Sequence, residues 1–148
     1  MAQWRDNLVE DEAGVAALLT GVRRVAVLGV KPESRAGQPA FYVAKYVAAH
    51  GAEVIPVPVY YPEVTEILGR PVFRKVAEIP GPQLDLVDVF RKPADIPGHL
   101  EDLLCKRPRA VWFQLGIRND AAAEVLARAG IQVVQDRCLK VEWARFRG

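Results

Sequence analysis

The feature that most constrains the fold is the alternation of short apolar runs with segments of helical pattern. Apolar runs occupy residues 25–29, 53–57, 84–90, 110–115 and 131–134. Between them, apolar residues recur at helical spacing, as in 39–50, where Pro39 suits a first helical turn and Gly51 a C-terminal cap. Runs this short and this apolar are typical of strands buried on both faces of a sheet.

Strands that alternate with helices must pair in parallel, because each crossover returns the chain to the same end of the sheet. We therefore expect a Rossmann-like, doubly wound α/β domain with five parallel strands in the order 3-2-1-4-5 and helices on both faces. A helix at 8–19 precedes a core at 20–142, and residues 1–148 are expected to form one domain. The segment 67–73 predicts an irregular turn, and 119–129 a helix.

Composition excludes several classes of protein. Of 148 residues, 51% are hydrophobic and 26% charged, which is too apolar for a disordered chain. The net charge is +2 with scattered basic residues, so no nucleic-acid partner is expected. The first 12 residues lack an apolar run, so we expect neither a signal peptide nor a membrane anchor, and a cytoplasmic location.

The loop after the first strand suits a phosphate. In doubly wound sheets, ligands bind at the carboxyl ends of the strands where the strand order reverses. This loop runs from Gly29 into the helix that begins near Pro39, and backbone amides at a helix start favour anions. Lys31, Ser34 and Arg35 add side-chain donors for phosphate oxygens.

The loop does not carry a dinucleotide fingerprint. Lys31 stands where the second glycine of G-x-G-x-x-G would admit a pyrophosphate. The second strand ends in Val57-Pro58-Val59, without the acidic residue that would bind a ribose hydroxyl of NAD. NAD is therefore disfavoured, and no P-loop motif occurs.

Catalytic groups are sparse. His50 and His99 are expected in helices, far from the ligand edge. Asp85 and Asp88 are three apart in one strand and so face opposite sides, and we expect Asp88 to accept hydrogen bonds from the backbone or an arginine. Two cysteines without ligand spacing predict neither a disulfide nor a metal site.

Cys138 follows the fifth strand between Arg137 and Lys140, a setting that favours a thiolate, but no histidine base is nearby in sequence. We interpret it as a buried structural residue near the outer edge of the sheet. Cys105 is expected in the core, as are Trp112 and Phe113.

Several segments together resemble a known family. They are 25–35, 43–51, 54–58, Glu66-Ile-Leu-Gly69, Leu86-Val-Asp-Val-Phe-Arg91, Trp112-Phe-Gln-Leu-Gly-Ile117 and Val134-Gln-Asp-Arg-Cys-Leu-Lys140. In this order and spacing they resemble the small bacterial and archaeal CoA-binding proteins, single-domain relatives of the CoA-binding half of the succinyl-CoA synthetase alpha subunit. The resemblance covers about residues 20–142.

The resemblance implies coenzyme A as the bound ligand, lying across the strand ends. Matching the family pattern adds Val30 in the first loop, Pro58 after the second strand, Phe90, Arg91 and Lys92 after the third, and Gln114 and Gly116 after the fourth. The synthetase phosphorylates a histidine in a second domain, which neither His50 nor His99 matches.

The function predicted from the sequence is therefore binding of CoA or an acyl-CoA without a catalytic centre. Three alternatives stay open: a subunit or partner of an acyl-CoA ligase, an NAD(P)-dependent oxidoreductase, and a regulator that reports CoA level to a protein partner. The sequence names no such partner.

Overall fold

The computed structural model describes residues 3–147, so residues 1, 2 and 148 of the expected domain lie outside the described part. The strands are β1 (Arg24–Leu28), β2 (Glu53–Val57), β3 (Glu66–Ile67), β4 (Arg70–Pro71), β5 (Leu86–Val89), β6 (Ala110–Phe113) and β7 (Gln132–Val134). The α-helices are α1 (Glu12–Leu19), α2 (Pro39–Ala49), α3 (Leu100–Lys106), α4 (Asp120–Arg128) and α5 (Leu139–Arg147). Four 3-10 helices are Trp4–Asn7, Glu33–Arg35, Val76–Glu78 and Pro93–His99.

The main sheet is parallel throughout and carries helices on both faces, which confirms the expected Rossmann-like α/β fold. Along each strand, alternate residues enter two separate cores. One core packs Val25, Val27 and Trp112 against α1, α2 and α5. The other packs Leu28, Val89 and Phe113 against α3 and α4, and both aromatic residues are fully buried as expected.

The strand order corrects the sequence prediction. The order is β2-β1-β5-β6-β7, so the third predicted strand pairs with β1 instead of lying outside β2. This is the other common order of doubly wound sheets. It makes β2 an edge strand, and it moves the point of reversal to the boundary between β1 and β5.

Pro56 explains why β2 lies at the edge. The amides of Glu53 and Gly29 bond across the β1–β2 boundary, to Arg23 (2.7 Å) and Val57 (2.8 Å). Alternation along the strand therefore turns Pro56 outward, where its missing N–H deprives no further strand of a hydrogen bond. The outward Pro56 carbonyl accepts a bond from the Phe73 amide at 3.0 Å, and Phe73 follows the β3–β4 hairpin.

Other expectations differ in detail. The segment 67–73 contributes to the small antiparallel β3–β4 hairpin instead of an irregular turn. The first α-helix begins at Glu12, because Asp11 caps it through a bond from the Gly14 amide, while Leu8 pairs with Val133 on the sheet. Cys105 is exposed, contrary to expectation, because Leu103 is the residue that α3 buries, and two positions later the helix faces outward.

Asp88 also departs from expectation. It is fully buried on β5, yet neither carboxylate oxygen has a hydrogen-bond partner within residues 3–147. Burial raises the pKa of Asp88 well above its usual value, because the apolar interior disfavours the charged carboxylate. Asp85, on the opposite face, accepts the Arg23 and Arg24 amides at 2.9 Å.

Candidate functional site

The site lies where β1 and β5 end side by side, at the point of strand-order reversal. Gly29 has a φ of +87°, and a Cβ there would overlap the carbonyl oxygen of Phe90. The Phe90 amide in turn donates to the Leu28 carbonyl at 2.8 Å. Only glycine combines this backbone conformation with such a close approach. The contact brings the loop after β1 against the loop after β5.

Two adjoining cavities open at this edge. Cavity A, of ≈ 510 Å³, lies between the start of α2 and the loops that follow β5 and β6. Cavity B, of ≈ 320 Å³, lies among the loops that follow β1, β2 and β5. They form one groove, because both are lined by Gly29, Lys31, Phe90, Arg91 and Lys92.

The groove combines cations with a helix start. Lys31 lines both cavities, and its ammonium group donates to the Gln38 side chain, the residue that precedes α2. Pro39 and Ala40, the first residues of α2, line cavity A, and the first turn of this helix holds no acidic side chain. The positive end of the helix dipole therefore opens into a groove that also contains lysine and arginine, an arrangement that favours anions.

Arg91 is the most firmly placed cation of the groove. Its side chain is only 14% exposed, its Nε donates to the His99 ring at 3.1 Å, and its Nη2 lies 3.5 Å from an Asp95 carboxylate oxygen. The guanidinium carbon also lies 5.5 Å from the centre of the Tyr60 ring. These contacts come from two segments, the 3-10 helix Pro93–His99 and the loop after β2, so Arg91 is held in place before any ligand arrives.

The loop after β6 closes the far side of cavity A. Gln114 is 3% exposed, and its side-chain oxygen accepts the amide of Leu139, the first residue of α5, at 2.9 Å. The Gly116 amide donates to the Asp136 carboxylate at 2.6 Å. These bonds connect the loops after β6 and β7. This wall of cavity A is therefore held in place by hydrogen bonds within the fold.

The structure brings most of the sequence-predicted residues together. Those that line the groove are Gly29, Val30, Lys31, Phe90, Arg91, Lys92, Gln114 and Gly116. Pro58 is buried and lines neither cavity. Ser34 and Arg35 are exposed on the 3-10 turn Glu33–Arg35 and also lie outside both linings.

That turn is attached elsewhere. The Glu33 carboxylate accepts the amide of Leu68 in the β3–β4 hairpin at 2.8 Å. This bond links the turn to the hairpin at the edge of the sheet. Ser34 and Arg35 therefore lie near the hairpin and outside the groove.

Sequence reasoning missed several lining residues. Gln38, Tyr42 and Tyr60 were not singled out, although Gln38 directly precedes the helix-starting Pro39. His99 was expected far from the ligand edge, but its contact with Arg91 places it directly behind the groove, because the short 3-10 helix Pro93–His99 turns the chain back. Cys138 follows the edge strand β7 as expected, but it is half-buried instead of buried, and it lines cavity A.

Comparisons with known proteins agree with this architecture. A family described as CoA binding domain matches residues 23–144. The uncharacterised protein YneT of Bacillus subtilis is 33% identical over 133 residues, which are 90% of this chain and 94% of that protein.

Solved structures give the same result. A protein from Thermus thermophilus, cell-free ID.343, is 36% identical with a TM-score of 0.82, covering 92% of this chain and 98% of its own. A hypothetical protein from Pyrococcus horikoshii is 31% identical with a TM-score of 0.81, covering 93% of each chain.

The fold and the groove define a Rossmann-like domain in which cationic side chains and a helix start line the edge where β1 and β5 end. The family match then identifies the chain as a member of the CoA-binding-domain family. In residues 3–147, no helix is long and apolar enough to cross a membrane.

Proposed function

We propose that this protein binds coenzyme A or an acyl-CoA in the groove formed by cavities A and B. The observation that carries the proposal is the convergence of Lys31, Arg91 and the start of α2 on one groove at the β1–β5 boundary. CoA carries a pyrophosphate and a 3′-phosphate, so it requires several cationic groups within one site. Membership of the CoA-binding-domain family supports the same ligand.

The two cavities suit different parts of such a ligand. Cavity A is the more apolar, with Tyr42, Pro93, Leu115 and Ile117 in its lining, and suits the long pantetheine arm. Cavity B has Tyr60 and Tyr61 in its lining and suits the adenosine end, with the phosphates between them at Lys31 and Arg91. Ser34 and Arg35 would then act only at the rim, through longer-range charge.

We also propose that the chain has no catalytic centre of its own. Among residues 3–147, no three or more His, Cys, Asp or Glu side chains lie close enough together to hold a metal ion. The histidine nearest to the groove, His99, accepts a bond from Arg91 and so is engaged in holding a cation. This arrangement favours a binding module over a ligase or an oxidoreductase.

Calorimetric titration with CoA, acetyl-CoA, NAD, NADP and ATP tests the ligand. We expect CoA or acetyl-CoA to bind most tightly, and tighter binding of NAD would contradict the proposal. Native mass spectrometry of the purified protein would identify any CoA or acyl-CoA that copurifies.

A second assay tests the absence of catalysis. The chain is incubated with CoA, a carboxylic acid and ATP or GTP, and we expect no thioester. Detection of a phosphohistidine at His50 or His99 during turnover would overturn the non-catalytic interpretation.

A further inference from the structure

The inference concerns His99, which lies behind the groove and lines neither cavity. Its Nε2 lies 3.1 Å from the Nε of Arg91. An arginine Nε always carries a hydrogen, so it donates, and the imidazole nitrogen must accept. His99 can accept at this atom only while Nε2 is unprotonated, with the ring hydrogen on Nδ1.

The surroundings hold His99 in this neutral form. Burial first, and then the positive charge of Arg91, lower the pKa of His99 below its usual value, while Asp102 and Asp95 act in the opposite direction. The charged groups around the ring are therefore Arg91 from the loop after β5, Asp95 from the 3-10 helix of His99, and Asp102 from α3. Asp102 is itself engaged, because its carboxylate accepts the Val76 and Ala77 amides at 2.8 Å.

Protonation would reverse the contact. A hydrogen on Nε2 would face the Nε hydrogen of Arg91, and two cations would stand at hydrogen-bond distance with no acceptor between them. Arg91 would then keep the longer contact to Asp95, a side chain that is 44% exposed, and the contact with the exposed ring of Tyr60. Because the Asp95 carboxylate is partly open to solvent, this ion pair contributes little to fixing Arg91.

We propose that His99 is a positioning residue: in its neutral form it fixes Arg91 for the phosphates of the ligand, and its protonation releases Arg91 and weakens binding. This inference rests on the proposed binding of CoA. It adds a pH-dependent control of affinity, exerted by a residue that lines neither cavity.

The first test reads the His99–Arg91 contact without ligand. The chain has two histidines, so a His50→Gln background leaves His99 as the single histidine signal in an NMR titration. We expect His99 to titrate below 6.5, and to titrate at higher pH when Arg91→Met removes the neighbouring charge. Unchanged titration in the Arg91→Met protein would overturn the proposed pairing.

The second test measures the dissociation constant for CoA in matched variants. His99→Leu removes the acceptor, whereas His99→Gln keeps an oxygen that reaches the position of Nε2 but does not protonate near neutral pH. At pH 7.5 we expect His99→Leu to bind about two- to tenfold more weakly, because the ligand must then order Arg91 itself. His99→Gln should bind about as tightly as the wild type, and so should the control His50→Gln.

The pH series separates positioning from a merely structural role. The 3′-phosphate of CoA titrates near pH 6, so the quantity compared is the ratio of dissociation constants of wild type and His99→Gln at each pH. We expect the wild type to lose affinity relative to His99→Gln as the pH falls through the pKa of His99. A constant ratio, or relatively tighter binding by the wild type in acid, would overturn the proposal.

The outcomes are distinguishable from failure of the proposed function. If the wild type binds no CoA at pH 7.5, the proposed function is wrong, and the positioning role fails with it. If the wild type binds CoA and His99→Leu binds equally well, the positioning role alone is wrong.

Discussion

The space that a side chain at Gly29 would require is filled by the carbonyl oxygen of Phe90. That oxygen belongs to the backbone, so it cannot swing aside as the end of a side chain would. The absence of a Cβ atom at Gly29 therefore allows the two strand ends that precede Lys31 and Arg91 to approach this closely.

Replacing Gly29 with alanine should destabilise the protein and weaken CoA binding together. The positive φ alone costs an alanine about 1–2 kcal/mol, and the overlap with Phe90 adds to this cost. Urea unfolding and calorimetry measure the two effects. Gly37→Ala is the matched control in the same loop, since no atom beyond Gly37 and its two chain neighbours lies within 4 Å of the added methyl group. Equal stability of the two variants would contradict the role of the Gly29–Phe90 contact.

Lys31→Met should lower CoA affinity roughly tenfold or more, because a hydrogen bond to a charged group contributes about 1.5–3 kcal/mol. Arg35→Ala should lower it less, because Arg35 is exposed and lies outside both cavity linings. Lys45→Met, at an exposed position on α2, controls for loss of net charge. Calorimetry with CoA and dephospho-CoA measures all three variants. A larger effect at Arg35 than at Lys31 would show that the phosphates lie over the Glu33–Arg35 turn instead.

Asp88→Asn should make stability less dependent on pH. The pKa of Asp88 is raised in the folded protein, so the folded state retains its proton while the unfolded state loses it above about pH 3.9. The contribution of Asp88 to stability is thus present below that pH and is lost as the pH rises toward the folded-state pKa. We expect Asp88→Asn to be more stable than wild type at pH 8, with the advantage vanishing near pH 4.

Urea unfolding at pH 4, 6 and 8 measures the free energy of unfolding of the wild type and of Asp88→Asn. Asp6→Asn, at an exposed position, is the control for the loss of a carboxylate elsewhere on the chain. A wild-type profile in the Asp88→Asn protein would mean that Asp88 is ionised in the fold.

Cys138→Ser should lower thermal stability while leaving CoA affinity nearly unchanged. The side chain packs against the core beneath α2 and α5, and a hydroxyl without a partner there costs roughly 1–3 kcal/mol. Cys105→Ser, at the exposed cysteine, should leave stability unchanged. Intact-mass analysis after incubation with CoA disulfide tests the alternative, because Cys138 also lines cavity A. A mixed disulfide that forms at Cys138 under mild conditions, and not at Cys105, would favour a redox role.

The fold could be predicted because its signals are local. Each strand of the main sheet is a short apolar run, and a helix such as α2 has its own start and stop residues in Pro39 and Gly51. The strand order was harder to predict from the sequence, since it depends on which strand pairs with β1. One local signal bears on it: Pro56 lacks an N–H and so disfavours a central place for β2.

The residues of the candidate site also differ in how well the sequence predicts them. Lys31 was found from its position in the loop after the first strand, and Arg91 from the family resemblance. Ser34 and Arg35 have the right chemistry, but the bond from Glu33 to the hairpin attaches their turn elsewhere. His99 was missed because its role arises from a tertiary contact across a 3-10 helix, which no spacing in the sequence encodes.

The outward-facing Pro56 and its bond to Phe73 have a consequence for self-association. An open strand edge is a template on which strands of other molecules can pair, and this is a common route to aggregation. At β2, the proline offers no donor to an incoming strand, and its carbonyl is already bonded to the Phe73 amide. This edge of the sheet is thereby closed to strand addition, and the protein should resist fibril growth from it at high concentration.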